Sequence, residues 1–290
     1  MINYYLPDFY TGRKLYELIY HIKKEYPEFF YDNISIKAIF GCFPGAIWNG
    51  GSIFNTAPTT YASELKDFYY FYKDLNIPIQ ITFTNPLITE KQCWDTYCNT
   101  ILEYFEDNDN AILVSNEILE EYIKNNYPKY KIDRSIVNTG MELDWINLLN
   151  TKYNRVVMPR RHNKDFNYLK NIPKEYRNRI ELLVNEDCPS DCPRINTHYN
   201  AFALTTLFKN PDNLGIPCTN ELKKDNFFGV VEKDYISFDE IRKNYEPLNY
   251  TEIKLSGRAD LLHMIYTVCE YMIIPKYKLQ MMKFLCSILL

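Results

Sequence analysis

Short apolar runs rich in isoleucine and valine recur along the chain: Ile34–Phe40, Ile77–Phe83, Ala111–Val114, Ile132–Val137, Arg155–Met158, Ile180–Val184 and Thr251–Leu255. Each has the length of a β-strand. Between them, apolar side chains repeat every three or four residues: Leu65, Phe68, Tyr72 and Leu75; Trp94, Tyr97, Ile101 and Tyr104; Ile118, Tyr122 and Ile123; Leu261, Ile265, Val268 and Met272. That spacing lays one apolar stripe along a helix. Start and stop signals agree. Thr89 with Gln92 forms a capping box after Asn85-Pro86, Ser115 or Asn116 caps the helix after the third run, and Pro275 follows the last helix.

Strand and helix therefore alternate. Runs that stay apolar at successive positions belong to strands buried on both faces, the condition of a parallel sheet wrapped by helices. Seven such runs, with an eighth strand placed at Phe227–Val231, predict an α/β chain folded as a (β/α)8 TIM-barrel-like single domain over residues 1–290. An open doubly wound sheet is the competing arrangement. The absence of a G-x-G-x-x-G or P-loop sequence after any strand counts against its nucleotide-binding versions. Residues 210–246, rich in Pro, Gly, Asn and charge, read as a loop-rich excursion covering one barrel end.

Composition narrows the partners. With 33 basic and 37 acidic residues the formal net charge is -4, so no strong positive field exists to hold nucleic acid or anionic lipid. The longest apolar tail, Phe284–Leu290, is far short of the roughly 18 residues a membrane span needs, and Met1–Tyr10 carries no export signal. The expectation is a soluble cytoplasmic protein with a small-molecule or peptide substrate and no membrane partner. Its eight cysteines then read as reduced thiols or metal ligands; Cys269 and Cys286, in apolar helical surroundings, read as small hydrophobes.

The sharpest chemical signal follows the run Ile180–Val184. Asn185 to Arg194 is a polar loop holding Cys188 and Cys192, with His198 and Tyr199 just beyond, and Cys218 lies in a second turn-rich stretch, Leu214–Asn220. Thiolates bind soft metals and iron-sulfur clusters. In parallel barrels catalytic groups come from the carboxyl ends of strands. These ends supply Cys42, Asn85, Asn116, Glu117, Asn138, Thr139, Arg160, Arg161, Asn185, Glu186 and Cys188, then Lys254, Ser256, Gly257 and Arg258. Asn116 and Asn138 suit caps or turns. Arg160, Lys254 and Arg258, if they converge, make a cationic pocket for a carboxylate or phosphate; the alternative is solvated rim charge or structural pairing with Glu186. Glu186 is the candidate general acid or base. The loop Gly41–Gly51 holds four of the nine glycines and reads either as a cover over a ligand or as a tight structural turn.

Two stretches together resemble the peptidase U32 family. One is Glu181-Leu182-Leu183-Val184-Asn185-Glu186-Asp187-Cys188 with Cys192-Pro193 and His198-Tyr199; the other is Tyr235-Ile236-Ser237-Phe238-Asp239-Glu240-Ile241 followed by Glu252-Ile253-Lys254-Leu255-Ser256-Gly257-Arg258. The resemblance covers residues 130 to 275 and implies a barrel. The family includes collagenase-like proteases and relatives in oxygen-independent hydroxylation of ubiquinone precursors or of RNA bases, some carrying a four-cysteine cluster. It therefore implies a [4Fe-4S] cluster on Cys188, Cys192 and Cys218. Cys42 is the candidate fourth ligand, and His198 the alternative, which favours zinc. The chain shows no H-E-x-x-H and no G-x-S-x-G. The reading is a U32-like barrel enzyme; the competing classes are a non-catalytic binding or scaffold barrel and a metal-dependent peptidase.

Overall fold

The structure, a computed structural model, describes residues 1–50, 59–137, 145–186, 188–209, 234–257 and 260–290. Its strands are β1 (Ile2–Pro7), β2 (Ile34–Gly41), β3 (Ile79–Phe83), β4 (Ala111–Val114), β5 (Lys131–Arg134), β6 (Arg155–Val157), β7 (Ile180–Leu183) and β8 (Glu252–Lys254). They close into one barrel in chain order, and β8 returns to β1 in parallel register, with Tyr5 beside Lys254. The helices are α1 (Arg13–Glu25), α2 (Ala62–Asp74), α3 (Thr96–Phe105), α4 (Glu117–Asn126), α5 (Trp145–Thr151), α6 (Phe166–Asn171), α7 (Lys174–Arg177), α8 (Ile195–Phe208), α9 (Phe238–Glu240), α10 (Leu261–Met272) and α11 (Pro275–Leu289).

The barrel is the one the alternation predicts, with a different eighth strand. Ile2–Pro7 completes the ring, and Phe227–Val231 lies outside the described residues. β1 escapes a search for isoleucine and valine because its core is Asn-Tyr-Tyr-Leu; Tyr4, Tyr5 and Leu6 are all buried. Of the predicted excursion, residues 210–233 lie outside the described residues. The part from Phe238 to Leu248 is a series of helical turns, opened by a capping box between Ser237 and Glu240. Those turns are too short to show a helical period.

The chain packs as two compact units. The first comprises Met1–Phe40, Arg160–Ser190 and Lys223–Leu290; the second comprises Gly41–Pro159 and Asp191–Leu222. In the first, the Tyr4 hydroxyl donates to the Tyr271 carbonyl of α10 at 3.0 Å, so Tyr4 faces the outer helices. Side chains alternate across a strand, so Asn3 and Tyr5 face the barrel interior. On the opposite, helix-facing side, Leu182 and Ile253 are fully buried, as are Met264, Ile265, Val268 and Met272 of α10. In the second, Phe43 packs against Phe68 and Phe105, and Trp48 meets Phe83 edge-on at 5.1 Å.

Two start signals resolve differently. Asn116 caps α4 by accepting from the Leu119 amide, while the Ser115 hydroxyl donates to the Thr84 carbonyl. Thr89 and Gln92 do pair, but they close a single turn at Gln92–Trp94; α3 begins later, capped by Asp95, and Trp94 stays exposed.

Candidate functional site

The inner face of β7, β8 and β1 in the first unit carries charge. Glu181 is fully buried, Glu252 is 3% exposed and Lys254 5% exposed. Glu252 accepts from the Tyr5 hydroxyl at 2.7 Å and from the Asn3 amide at 2.5 Å, and Ser35 donates to the Asn3 side-chain oxygen at 2.7 Å. Because Asn3 and Tyr5 point inward, Glu252 does too, and so does Lys254 two residues later. Lys254 Nζ lies 3.3 Å from Glu181 Oε2 and 4.2 Å from the centre of the Phe40 ring. Glu181 sits beside Glu252 in the β7–β8 register, one layer deeper than Lys254. The wall therefore holds a buried ion pair next to a second, hydrogen-bonded carboxylate.

Above it the strand ends are stitched together. The Asn185 side chain donates to the Ser256 carbonyl at 2.9 Å and accepts from the Ser256 amide at 2.7 Å. Asn163 donates to the Leu183 carbonyl at 2.8 Å, and Tyr245 donates to the Asn163 carbonyl at 2.8 Å. Arg160, buried just beyond β6, donates through Nη1 to the Cys188 carbonyl at 2.6 Å. The Asp234 carboxylate accepts from both the amide and the hydroxyl of Ser190, at 2.7 and 2.6 Å. The Cys188 loop is thus held at two points, one on either side of Pro189.

Of the residues the sequence selects, the first unit brings Arg160 and Cys188 into direct contact and leaves Glu186 half-buried nearby in the chain. Lys254 is buried in the wall and paired with Glu181, a partner the sequence reading did not select. Arg258 and Cys218 lie outside the described residues, as do Asn138 and Thr139. In the second unit, Cys42 is half-buried after β2, Cys192 is buried, and His198 lies on α8. Among the described residues, no three His, Cys, Asp or Glu side chains come together as a metal ion requires. The described candidates therefore do not by themselves form a donor set. Cys93, Cys98 and Cys269 behave as apolar side chains: burial raises the pKa of each, that of Cys269 to about 12, which disfavours the thiolate.

The glycine-rich loop is a packed turn over its described length, Gly41 to Gly50. Trp48 is fully buried and its indole donates to the Gln92 carbonyl at 2.8 Å. The Asn85 amide donates to the Trp48 carbonyl at 2.8 Å, and the Asn85 side chain donates to the Ile47 and Ala203 carbonyls. Gly45 takes φ 77°, and at Gly50 a Cβ would come within 2.6 Å of the Asn85 Cα. Glycine is used here for close approach. The second unit also holds a polar pair inside its wall: Gln80 donates to Asp133 at 2.8 Å, and Asn154 donates to its other oxygen at 2.9 Å.

Sequence reasoning missed Tyr5, Glu181 and Glu252. Their signal is a charge or hydroxyl at alternate positions of a short strand, as in Glu252-Ile253-Lys254. Reading those segments as plain apolar runs conceals it.

No protein-family model matches the chain, and no curated protein matches it. A solved structure of the U32 peptidase Mk0906 is similar over 88% of this chain and 92% of that one, with 12% sequence identity and a TM-score of 0.45.

Proposed function

We propose that this chain is a barrel enzyme acting on a small or modular substrate with an anionic group, bound at the carboxyl ends of the strands with Lys254 at its reacting end. One observation carries the reading: a lysine 5% exposed, at the last position of β8, on the inner face and paired with Glu181. Desolvating two charges cancels most of what their attraction returns, so such a pair is a poor device for stability. Barrel chemistry is concentrated at this end of the strands. Arg160 supports the reading as a second buried cation of the same unit, anchored on the Cys188 carbonyl, and a guanidinium suits a carboxylate or phosphate. Glu186, half-buried in the loop after β7, is the proposed proton carrier. Arg258, from the sequence, is the proposed second guanidinium. The thiols of Cys188, Cys192 and Cys218, with Cys42 or His198, stay a proposed cluster or zinc set, and no step of this reading passes through them.

The test is a thermal-shift panel of small carboxylates and phosphate esters. It compares the wild type with the double variant Lys254→Met, Glu181→Gln, which removes both charges of the pair. A ligand at 100 times its Kd stabilises the folded state by about 2.7 kcal/mol. At least one class should stabilise the wild type and fail on the variant. Equal shifts in both proteins, or none in either, would overturn the reading. Turnover of the stabilising class then separates an enzyme from a barrel that only binds.

A further inference from the structure

We propose that Lys254 is a covalent nucleophile, forming an iminium with the carbonyl carbon of a small keto acid. This deepens the functional reading above and rests on it. Three features of the inner wall point to the step. First, Lys254 Nζ lies 3.3 Å from Glu181 Oε2, with the two side chains only 7% and 0% exposed. A proton acceptor therefore stands at hydrogen-bond distance from the amine that must be freed for attack.

Second, the Phe40 ring lies 4.2 Å from the same nitrogen. A ring face and a carboxylate both favour positive charge. An iminium keeps that charge on the nitrogen, whereas acylation of the amine would erase it and strand Glu181. The surroundings thus suit carbonyl condensation.

Third, Tyr5 is the register partner of Lys254 on β1, on the same inner face, with its hydroxyl fixed on Glu252 at 2.7 Å. Neighbouring strands are about 4.8 Å apart, so the two residues are neighbours on that face. The inward position next to Tyr5 on β2 is Ala38, which adds little bulk there.

The step balances without a further reagent. Glu181 takes one proton from the ammonium, and the free amine attacks the carbonyl carbon, forming the C–N bond while the carbonyl π pair moves to oxygen. That oxygen takes up two protons, one lost by nitrogen on addition and one returned from Glu181, with Tyr5 as the relay. Water leaves with the C–O bond pair and the iminium remains. One ammonium and one ketone have become one iminium and one water.

The experiment is reductive trapping. The whole protein is incubated with pyruvate and sodium cyanoborohydride, and adducts are mapped by peptide mass spectrometry. Lys254 should be modified about tenfold faster than the exposed Lys276, a difference of about 1.4 kcal/mol in barrier. Glu181→Gln, which keeps the lysine, should slow the Lys254 adduct and leave Lys276 unchanged. Lys254→Arg should remove the fast site. Modification of Lys254 no faster than Lys276 overturns the inference. An intact anion-induced thermal shift with no adduct at Lys254 sinks the covalent step alone; loss of both sinks the functional reading as well.

Discussion

Lys254 on β8 reaches diagonally down one layer of the barrel wall to Glu181 on β7, Nζ to Oε2 at 3.3 Å, although its register partner on that strand is Leu183. The pair lies away from bulk water, so its two members depend on each other more than on solvent.

A double-mutant cycle should expose that dependence. Lys254→Met alone leaves a buried carboxylate and should cost about 3–5 kcal/mol, as should Glu181→Leu alone in leaving a buried ammonium. Both together should return to near the wild-type value or exceed it by about 1–4 kcal/mol. Urea denaturation of the four proteins measures this. Additive losses would mean that the two charges are not coupled.

Gly50 is the tightest test of the packed turn. Its Cβ position falls 2.6 Å from the Asn85 Cα and 2.8 Å from the Thr84 carbonyl oxygen, both backbone atoms that cannot swing away. Gly50→Ala should cost about 1–3 kcal/mol through overpacking. A melting temperature equal to that of the wild type would show that the turn gives way freely.

Helix caps separate the two start signals. Asp95 accepts from the Cys98 amide at 2.8 Å, and Asp95→Ala should cost about 1 kcal/mol. Asn116→Ala should cost more than Asp95→Ala, because Asn116 also donates to the Pro86 and Ile88 carbonyls. Thr89→Ala should cost least, since its box closes one exposed turn. Denaturation midpoints rank the three, and the reverse order would contradict the cap assignment.

Alkaline pH should destabilise the protein before any exposed group explains it. Burial raises the Tyr97 phenol from 10.0 to about 12 and the Cys269 thiol from 9.0 to about 12. Between those values the unfolded chain has released protons that the folded chain still holds, so stability is intact below pH 9 and falls as pH rises toward 12. Tyr4, Tyr130 and Tyr271 add in the same direction, raised chiefly by burial. Tyrosinate absorbance followed together with circular dichroism should show these phenols ionising as the fold is lost. Ionisation well before unfolding would sink the account.

The cysteine reading has its own measurement. Oxygen-free protein should carry iron or zinc near one site equivalent if Cys188, Cys192 and Cys218 form the proposed set, and Cys188→Ala should remove it. Metal-free protein would retire that set and leave the Lys254 reading in place.

By itself the sequence determined the alternation of strands and helices, and so the closed parallel barrel. Both periods, two and 3.6, are local properties written in consecutive residues. It also determined which strand ends carry Arg160 and Cys188. It did not reveal β1, whose tyrosines hide its strand character, and it left open whether the loop of Trp48 and its glycines is a cover or a tight turn. Nor did it reveal the partners of Lys254: that pairing depends on the register of β7 against β8 and of β8 against β1, two contacts separated by 73 and 249 residues in the chain. Register is fixed by how whole elements pack, so only the tertiary structure decided that Glu181, Lys254, Glu252 and Tyr5 share one buried face.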